Sequence, residues 1–183
     1  MQFQKQKINN LILIVPDVHG DDRGFFMESY KKSVYADNGM DFDFVQDNHA
    51  KSGKNVLRGL HYQLDPMAQG KLVRVVRGAV IDVAVDVRRS SSTFGQHVAV
   101  ELTADNKHIF WVPSGFAHAY ITLEDNTEFL YKTTNEYSPE HERGIRFDDP
   151  DLRIQWPVDL KDIKVSERDR NLPLLKDQKD LFK

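Results

Sequence analysis

Alternation of apolar and polar positions is the dominant pattern along the chain. From Ala79 to Val87, the residues Ala79, Ile81, Val83, Val85 and Val87 fall on one side. Val80, Asp82, Ala84 and Asp86 fall on the other. Successive side chains of an extended strand point to opposite faces, so this segment predicts a strand with one face in a core. Similar β-rich runs lie at Leu11–Val15, Phe42–Gln46, Leu72–Val76, His97–Leu102, His108–Val112, Ala117–Leu123 and Glu128–Thr134. Turn-forming residues separate them: Arg77-Gly78, the stretch Ser90 to Gly95, Pro113-Ser114-Gly115 and Glu124-Asp125-Asn126. Many short strands at spacings of about ten residues predict a β-sandwich or barrel. Helix is scarce. Lys31 to Asn38, ending before Gly39, supports about two turns. Glu167 to Asp180 mixes Leu with charges and is interrupted by Pro173. With no repeat, low-complexity tract or linker, residues 1–183 read as one all-β domain.

Composition narrows the classes of function. The 183 residues carry 25 Lys and Arg against 28 Asp and Glu, a net charge of -3. That balance argues against a general nucleic-acid coat, which needs a basic surface, and leaves room for an anion pocket lined by a few Arg. The absence of cysteine removes disulfides, thiolate zinc sites and Cys nucleophiles. The early apolar run Leu11–Val15 is shorter than the about 7–15 residues of a signal-peptide core, and no run approaches the roughly 20 of a membrane span. The expectation is a cytoplasmic protein with no membrane partner.

Histidine, lysine, tyrosine and arginine supply the reactive chemistry. Read as a strand, Leu57–Gln63 puts Arg58, Leu60 and Tyr62 on one face and Leu57, Gly59, His61 and Gln63 on the other. Gly59 then leaves room beside His61 for a ligand. His61-Tyr62-Gln63 lacks the second histidine of a His-x-His pair, so a metal site here is disfavoured. Lys71 shares a face with Val73 and Val75. Pointing inward, its ammonium needs an anion or a developing enolate beside it, although a Lys that starts a strand is ordinarily in solvent. Tyr131, on one face with Phe129 and Thr133, is a core aromatic or a hydroxyl donor. His118 opens a strand after a turn, where it is a ligand donor or a strand-end polar residue. Arg23 and Arg58 suit a phosphate, and the amides of Gln46-Asp47-Asn48 suit a pyrimidine edge. Asp169, taken alone, reads as a solvated helix residue.

Several strings together resemble the dTDP-4-dehydrorhamnose 3,5-epimerase family, nearly end to end. They are Asp22-Arg23-Gly24-Phe25-Phe26-Met27-Glu28, Gln46-Asp47-Asn48, Val56 to Gln63, Gln69 to Val75 and Asp82 to Arg88. Trp111 to His118, Tyr131-Lys132-Thr133 and the tail from Asp149-Pro150 to Trp156-Pro157 complete the set. Ala119-Tyr120 stands where the family usually shows Gly and Phe, His49-Ala50 replaces a Ser-containing pair, and Arg168 stands where Lys is common. None of these changes removes a reacting group.

The resemblance implies a cupin-type jelly-roll barrel with short peripheral helices, a homodimer, a dTDP-sugar substrate held inside the barrel, and no metal or organic cofactor. It implies His61 as base, Asp169 as its partner, Lys71 at the enolate oxygen and Tyr131 as proton donor. It also implies substrate binding by Arg23, Glu28, Gln46, Asp47, Asn48, Arg58, Lys71, His118, Glu142 and Arg168. For the dimer, the run Leu11–Val15 is a segment that would pair across an interface instead of within the barrel. Three other readings use the same residues differently. They are a single-position epimerase or ketoisomerase on a related nucleotide sugar, a non-catalytic nucleotide-sugar-binding cupin, and a metal-dependent cupin oxygenase, the last disfavoured by the missing His-x-His.

Overall fold

A computed structural model describes residues 1–183. Thirteen strands are present: β1 (Gln2–Lys5), β2 (Ile12–Val15), β3 (Val18–Asp21), β4 (Gly24–Met27), β5 (Gln46–Ser52), β6 (Leu57–Gln63), β7 (Lys71–Arg77), β8 (Ala79–Asp86), β9 (His97–Thr103), β10 (Ile109–Val112), β11 (Phe116–Thr122), β12 (Thr127–Thr133) and β13 (Glu142–Gly144). The helices α1 (Lys32–Asp37) and α2 (Glu167–Arg170) are short. A six-stranded sheet runs β1-β2-β10-β7-β12-β5, and a five-stranded sheet runs β13-β6-β11-β8-β9. All their pairings are antiparallel. The hairpin β3–β4 stands apart as a two-stranded sheet. The architecture is an all-β, cupin-type jelly roll, and no helix is long and apolar enough to cross a membrane.

The main core lies between the two sheets. Val73, Val75, Phe110, Val112 and Phe129 project from one sheet against Val80, Ala84, Val98, Leu102, Phe116 and Tyr120 of the other. Area burial of this kind stabilises by roughly 1.5–3 kcal/mol per large side chain. The opposite face of the five-stranded sheet is also covered. Leu60, Tyr62, Val83, Val85, Val87, Ala117 and Ala119 pack under the C-terminal segment through Ile145, Leu152 and Leu175. That segment is tied down by Gln178 Nε2 donating to the Gly144 carbonyl and by Tyr62 donating to the Asp180 carbonyl. α1 closes the outer face of the other sheet, where Tyr35 and Met40 meet Ile14, Leu72, Ile109 and Trp111.

Several expectations change. β8 is buried on both faces, and Asp82 and Asp86, each 0% exposed, point into the barrel with Val80 and Ala84. Buried aspartates need donors, and both have them: Asp86 from Arg88, Ser91 and Thr93, Asp82 from His118. The strand expected at Phe42–Gln46 begins where that segment ends. Phe42 and Phe44 instead pack on Trp111, at 4.8 Å and 6.0 Å between ring centroids. The run at Ile12–Val15 pairs within the chain, between β1 and β10, and not across an interface. β1 and the hairpin β3–β4 are absent from the expected strands because they are short and largely exposed, and so carry no alternating pattern. After α2, Pro173 leaves only a 3-10 turn at Leu175–Asp177.

Candidate active site

The barrel interior turns polar at one end, around a cavity of about 570 Å³. Five elements supply its reactive side chains. β6 brings His61 and Arg58, β7 its first residue Lys71, β11 His118 and Tyr120, β12 Phe129 and Tyr131, and the C-terminal segment Arg168 and Asp169. A second cavity of about 310 Å³ shares His61, Lys71 and Tyr131 with the first and adds Gln46, Asn48, Gln63, Tyr137 and Glu142. The three shared residues therefore stand between two chambers.

The geometry of β6 decides who faces inward. Simple alternation separates Arg58 from His61. In the structure both line the cavity, while Leu60 and Tyr62 pack in the outer cluster. A register shift between His118 and Tyr120 on the neighbouring β11 breaks the alternation at Gly59. Gly59 has φ +130°, and a Cβ there would lie 2.3 Å from the Ala119 Cβ. The space beside Gly59 is thus filled by β11 and is not ligand space.

His61 is oriented from both ends. Its Nε2 donates to Asp169 Oδ1 at 2.8 Å, and its Nδ1 faces Glu142 Oε1 at 3.9 Å. This leaves the Nδ1 lone pair as the basic position. Asp169 is 4% exposed. Burial works against its ionisation, but the bonds from His61, the Gly59 amide and the Ser166 region hold its pKa below the usual carboxylate range. Ser166 caps α2, its Oγ accepting from the Asp169 amide at 3.1 Å, which fixes where the aspartate starts.

Lys71 does point inward, as its Val73 and Val75 neighbours suggest. Burial pushes its pKa down to about 8, against the pull of Glu142 and Asp82. Glu142 is held ionised despite burial by Tyr137, which donates to Oε2 at 2.7 Å, and by an ion pair with Arg168. Burial raises the Tyr131 hydroxyl pKa, opposed by Arg58, so the group carries its proton at neutral pH. His118, 7% exposed, donates from Nε2 to both oxygens of Asp82 at 2.9 Å. Asp82 is a site residue that the strand pattern hid, since an inward polar position looks like an outward one. Tyr137 was likewise missed, being an exposed loop aromatic that only its contact with Glu142 brings to the site.

The remaining residues divide by place. Gln46 and Asn48 alternate inward from β5, with Gln46 Nε2 donating to Asn48 Oδ1 at 2.9 Å. Asp47 between them points out of the barrel and pairs with Lys132 at 2.9 Å. Arg23 lies on the β3–β4 hairpin, its side chain 90% exposed and paired with Asp21. Glu28, just beyond β4, is also exposed. Neither Arg23 nor Glu28 lines either cavity of its own chain.

Comparison with known proteins follows the same line. A family model described as dTDP-4-dehydrorhamnose 3,5-epimerase matches residues 5–177. The chain is 52% identical over 172 residues to the dTDP-4-dehydrorhamnose 3,5-epimerase of Shigella flexneri, covering 93% of this chain and 94% of the relative. It superposes with TM-score 0.92 and 45% identity on a crystal structure of dTDP-6-deoxy-D-glucose-3,5-epimerase from Legionella pneumophila in complex with dTDP-4-keto-L-rhamnose. That match covers 96% of this chain and 93% of the other. A crystal structure of dTDP-4-dehydrorhamnose 3,5-epimerase from Elizabethkingia anophelis matches at TM-score 0.93 and 42% identity, over 98% and 99% of the two chains.

Proposed function

The chain belongs to the dTDP-4-dehydrorhamnose 3,5-epimerase family, and from that premise we propose how its own side chains divide the reaction. The enzyme is an isomerase that inverts C3 and C5 of dTDP-4-dehydro-6-deoxy-D-glucose to give dTDP-4-dehydro-L-rhamnose. The sugar's C4 ketone acidifies the hydrogens on both neighbouring carbons and is itself the electron sink. Each inversion needs a base on one face, charge stabilisation at the C4 oxygen, and an acid on the other face.

His61 is the base. Its Nδ1 takes the proton while Asp169, bonded to Nε2, holds the tautomer and stabilises the imidazolium. Lys71, protonated at neutral pH, meets the enolate oxygen as charge develops there. Tyr131, which lines both chambers, returns a proton from its hydroxyl to the opposite face. Arg58 and Arg168 border the cavity as the cations for the diphosphate. His118, fixed by Asp82, holds the sugar, and Gln46, Asn48 and Glu142 line the chamber beyond. The observation that carries this reading is the convergence of the His61–Asp169 pair, Lys71 and Tyr131 on one cavity.

Arg23 and Glu28 fit the reading through a second copy of the chain. Their hairpin carries Phe25 and Phe26, 62% and 71% exposed, beside Val18 at 43%. Such an apolar, unpaired hairpin suits a dimer in which it extends over the partner's cavity and brings Arg23 to the diphosphate there.

The test is NMR of the sugar incubated in D₂O. His61→Ala should abolish both epimerisation and deuterium uptake, since no carbanion forms. Tyr131→Phe should take up deuterium at C3 or C5 faster than it inverts them, because His61 can return a proton to the original face. Inversion itself should drop by about 10²–10⁴-fold. Exchange at both carbons in the His61→Ala protein, or normal inversion in the Tyr131→Phe protein, would remove that residue from its role.

A further inference from the structure

One hydroxyl in the cavity wall makes no well-aligned hydrogen bond. Tyr120 is 5% exposed, its ring stacks on Phe129 at 4.0 Å between centroids, and its hydroxyl is buried without a hydrogen-bond partner. A buried hydroxyl left unpaired is costly, so its neighbours matter. Across the β6–β11 pair Tyr120 stands opposite Arg58. Arg58 Nε and Nη2 both donate to Ser52 Oγ, at 3.3 Å each. These are long bonds to a neutral acceptor. By contrast Arg23, Arg88, Arg143, Arg146 and Arg168 each hold a carboxylate. Arg58 is therefore the cavity arginine most readily drawn off by a phosphate. Burial drives the Tyr120 hydroxyl up to about 12; the Arg58 charge and the neighbouring Ser52 hydroxyl, within bonding reach but not in a well-aligned bond, pull against it.

We propose that Ser52 is a positioning residue that exchanges Arg58 for Tyr120 when Arg58 engages the diphosphate. A serine hydroxyl offers one proton and two lone pairs. In the structure Ser52 accepts from the guanidinium, which stations Arg58 at the cavity. Once phosphate oxygens take the guanidinium, Ser52, itself 7% exposed, loses that donor. Tyr120 supplies its O–H in its place, and two hydroxyls that would otherwise be buried unpaired satisfy each other. Ser52 and Tyr120 thus act on substrate binding through Arg58. The inference rests on the reading that Arg58 holds the diphosphate.

Calorimetric titration with dTDP tests it on the parent, Tyr120→Phe, Ser52→Ala, the double variant and Arg58→Ala. Tyr120→Phe keeps the stacked ring and deletes only the hydroxyl, so it should weaken dTDP binding by about two- to tenfold, one neutral hydrogen bond. In the Ser52→Ala background the same change should have no effect, since the exchange partner is gone. Ser52→Thr keeps a hydroxyl and should restore the sensitivity to Tyr120→Phe. An unchanged affinity in Tyr120→Phe, or an equal loss with and without the Ser52 hydroxyl, overturns the exchange. Unchanged dTDP affinity in Arg58→Ala instead sinks the underlying reading. A weakened Arg58→Ala with a silent Tyr120→Phe sinks the exchange alone.

Discussion

Lys71 is costly to the fold at the point where the proposed chemistry places a cation. Its pKa lies near 8 in the native protein against 10.5 as a free side chain, because burial disfavours the charge. Between those two values the unfolded chain binds more protons than the native one, so the residue's contribution to stability improves as pH rises through that window. Below about pH 8 both states are charged and the native state carries the whole desolvation penalty, on the order of 2 kcal/mol after allowing for partial exposure. Lys71→Met should therefore be more stable than the parent at pH 7, and the gap should close towards pH 10. Urea denaturation across that range measures it; a gap that is absent, or that widens with pH, contradicts the assignment. The same variant should lose most of its turnover, since the enolate oxygen no longer meets a cation.

At the scale of elements, β6 carries the consequence of a single glycine. Arg58 and His61 reach one cavity only because the strand slips by a residue at Gly59, packed hard against Ala119 of β11. Gly59→Ala meets two obstacles: the positive φ, and a Cβ placed 2.3 Å from that of Ala119. Stability should fall by about 2–4 kcal/mol. Ala119→Gly in the same chain removes only the Cβ contact; the Ala119 Cα at 2.5 Å, the His118 carbonyl oxygen at 2.6 Å and the positive φ remain, so it should recover only a small part of the loss. Chemical denaturation of the two variants decides it, and a neutral Gly59→Ala would mean that β6 relaxes freely. The C-terminal segment makes a parallel point. α2 is a single turn, yet its Ser166 cap sets Asp169 against His61, and the segment that follows is anchored through Leu175 in the outer cluster.

At the scale of the whole molecule, the proposed dimer makes a quantitative statement about which chain supplies which group. Arg23→Ala and His61→Ala should each be weak or inactive alone. If the hairpin serves the partner's cavity, a mixed dimer of the two variants has one cavity with both residues intact and one lacking both. Unfolding and refolding an equimolar mixture should then regain about one quarter of parent activity, since half of a random pairing is mixed dimer and half of its sites are whole. If the hairpin serves its own chain, no mixture regains activity. Light scattering should report about twice the 21.2 kDa chain mass.

What the sequence determined by itself was local. The alternation in β7 and β12 grouped Lys71 with Val73 and Val75, and Tyr131 with Phe129, on the faces that turn inward, because facing within a regular strand depends only on parity; in β8 the same pattern favoured the face that packs outward. The roles proposed for the site residues rest on the motif strings and not on any pattern of hydrophobicity. Tertiary structure decided the rest, for three physical reasons. A strand that lines a polar cavity has polar inward residues, so β5, with Gln46, Asn48 and Ser52 inside, does not look amphipathic, and Asp82 looks solvated. A one-residue slip reverses parity, so Arg58 joined His61 against the simple reading. Asp169 lies 108 residues beyond His61, and nothing near it in the chain marks it as buried; only the C-terminal segment crossing the sheet makes the two a pair.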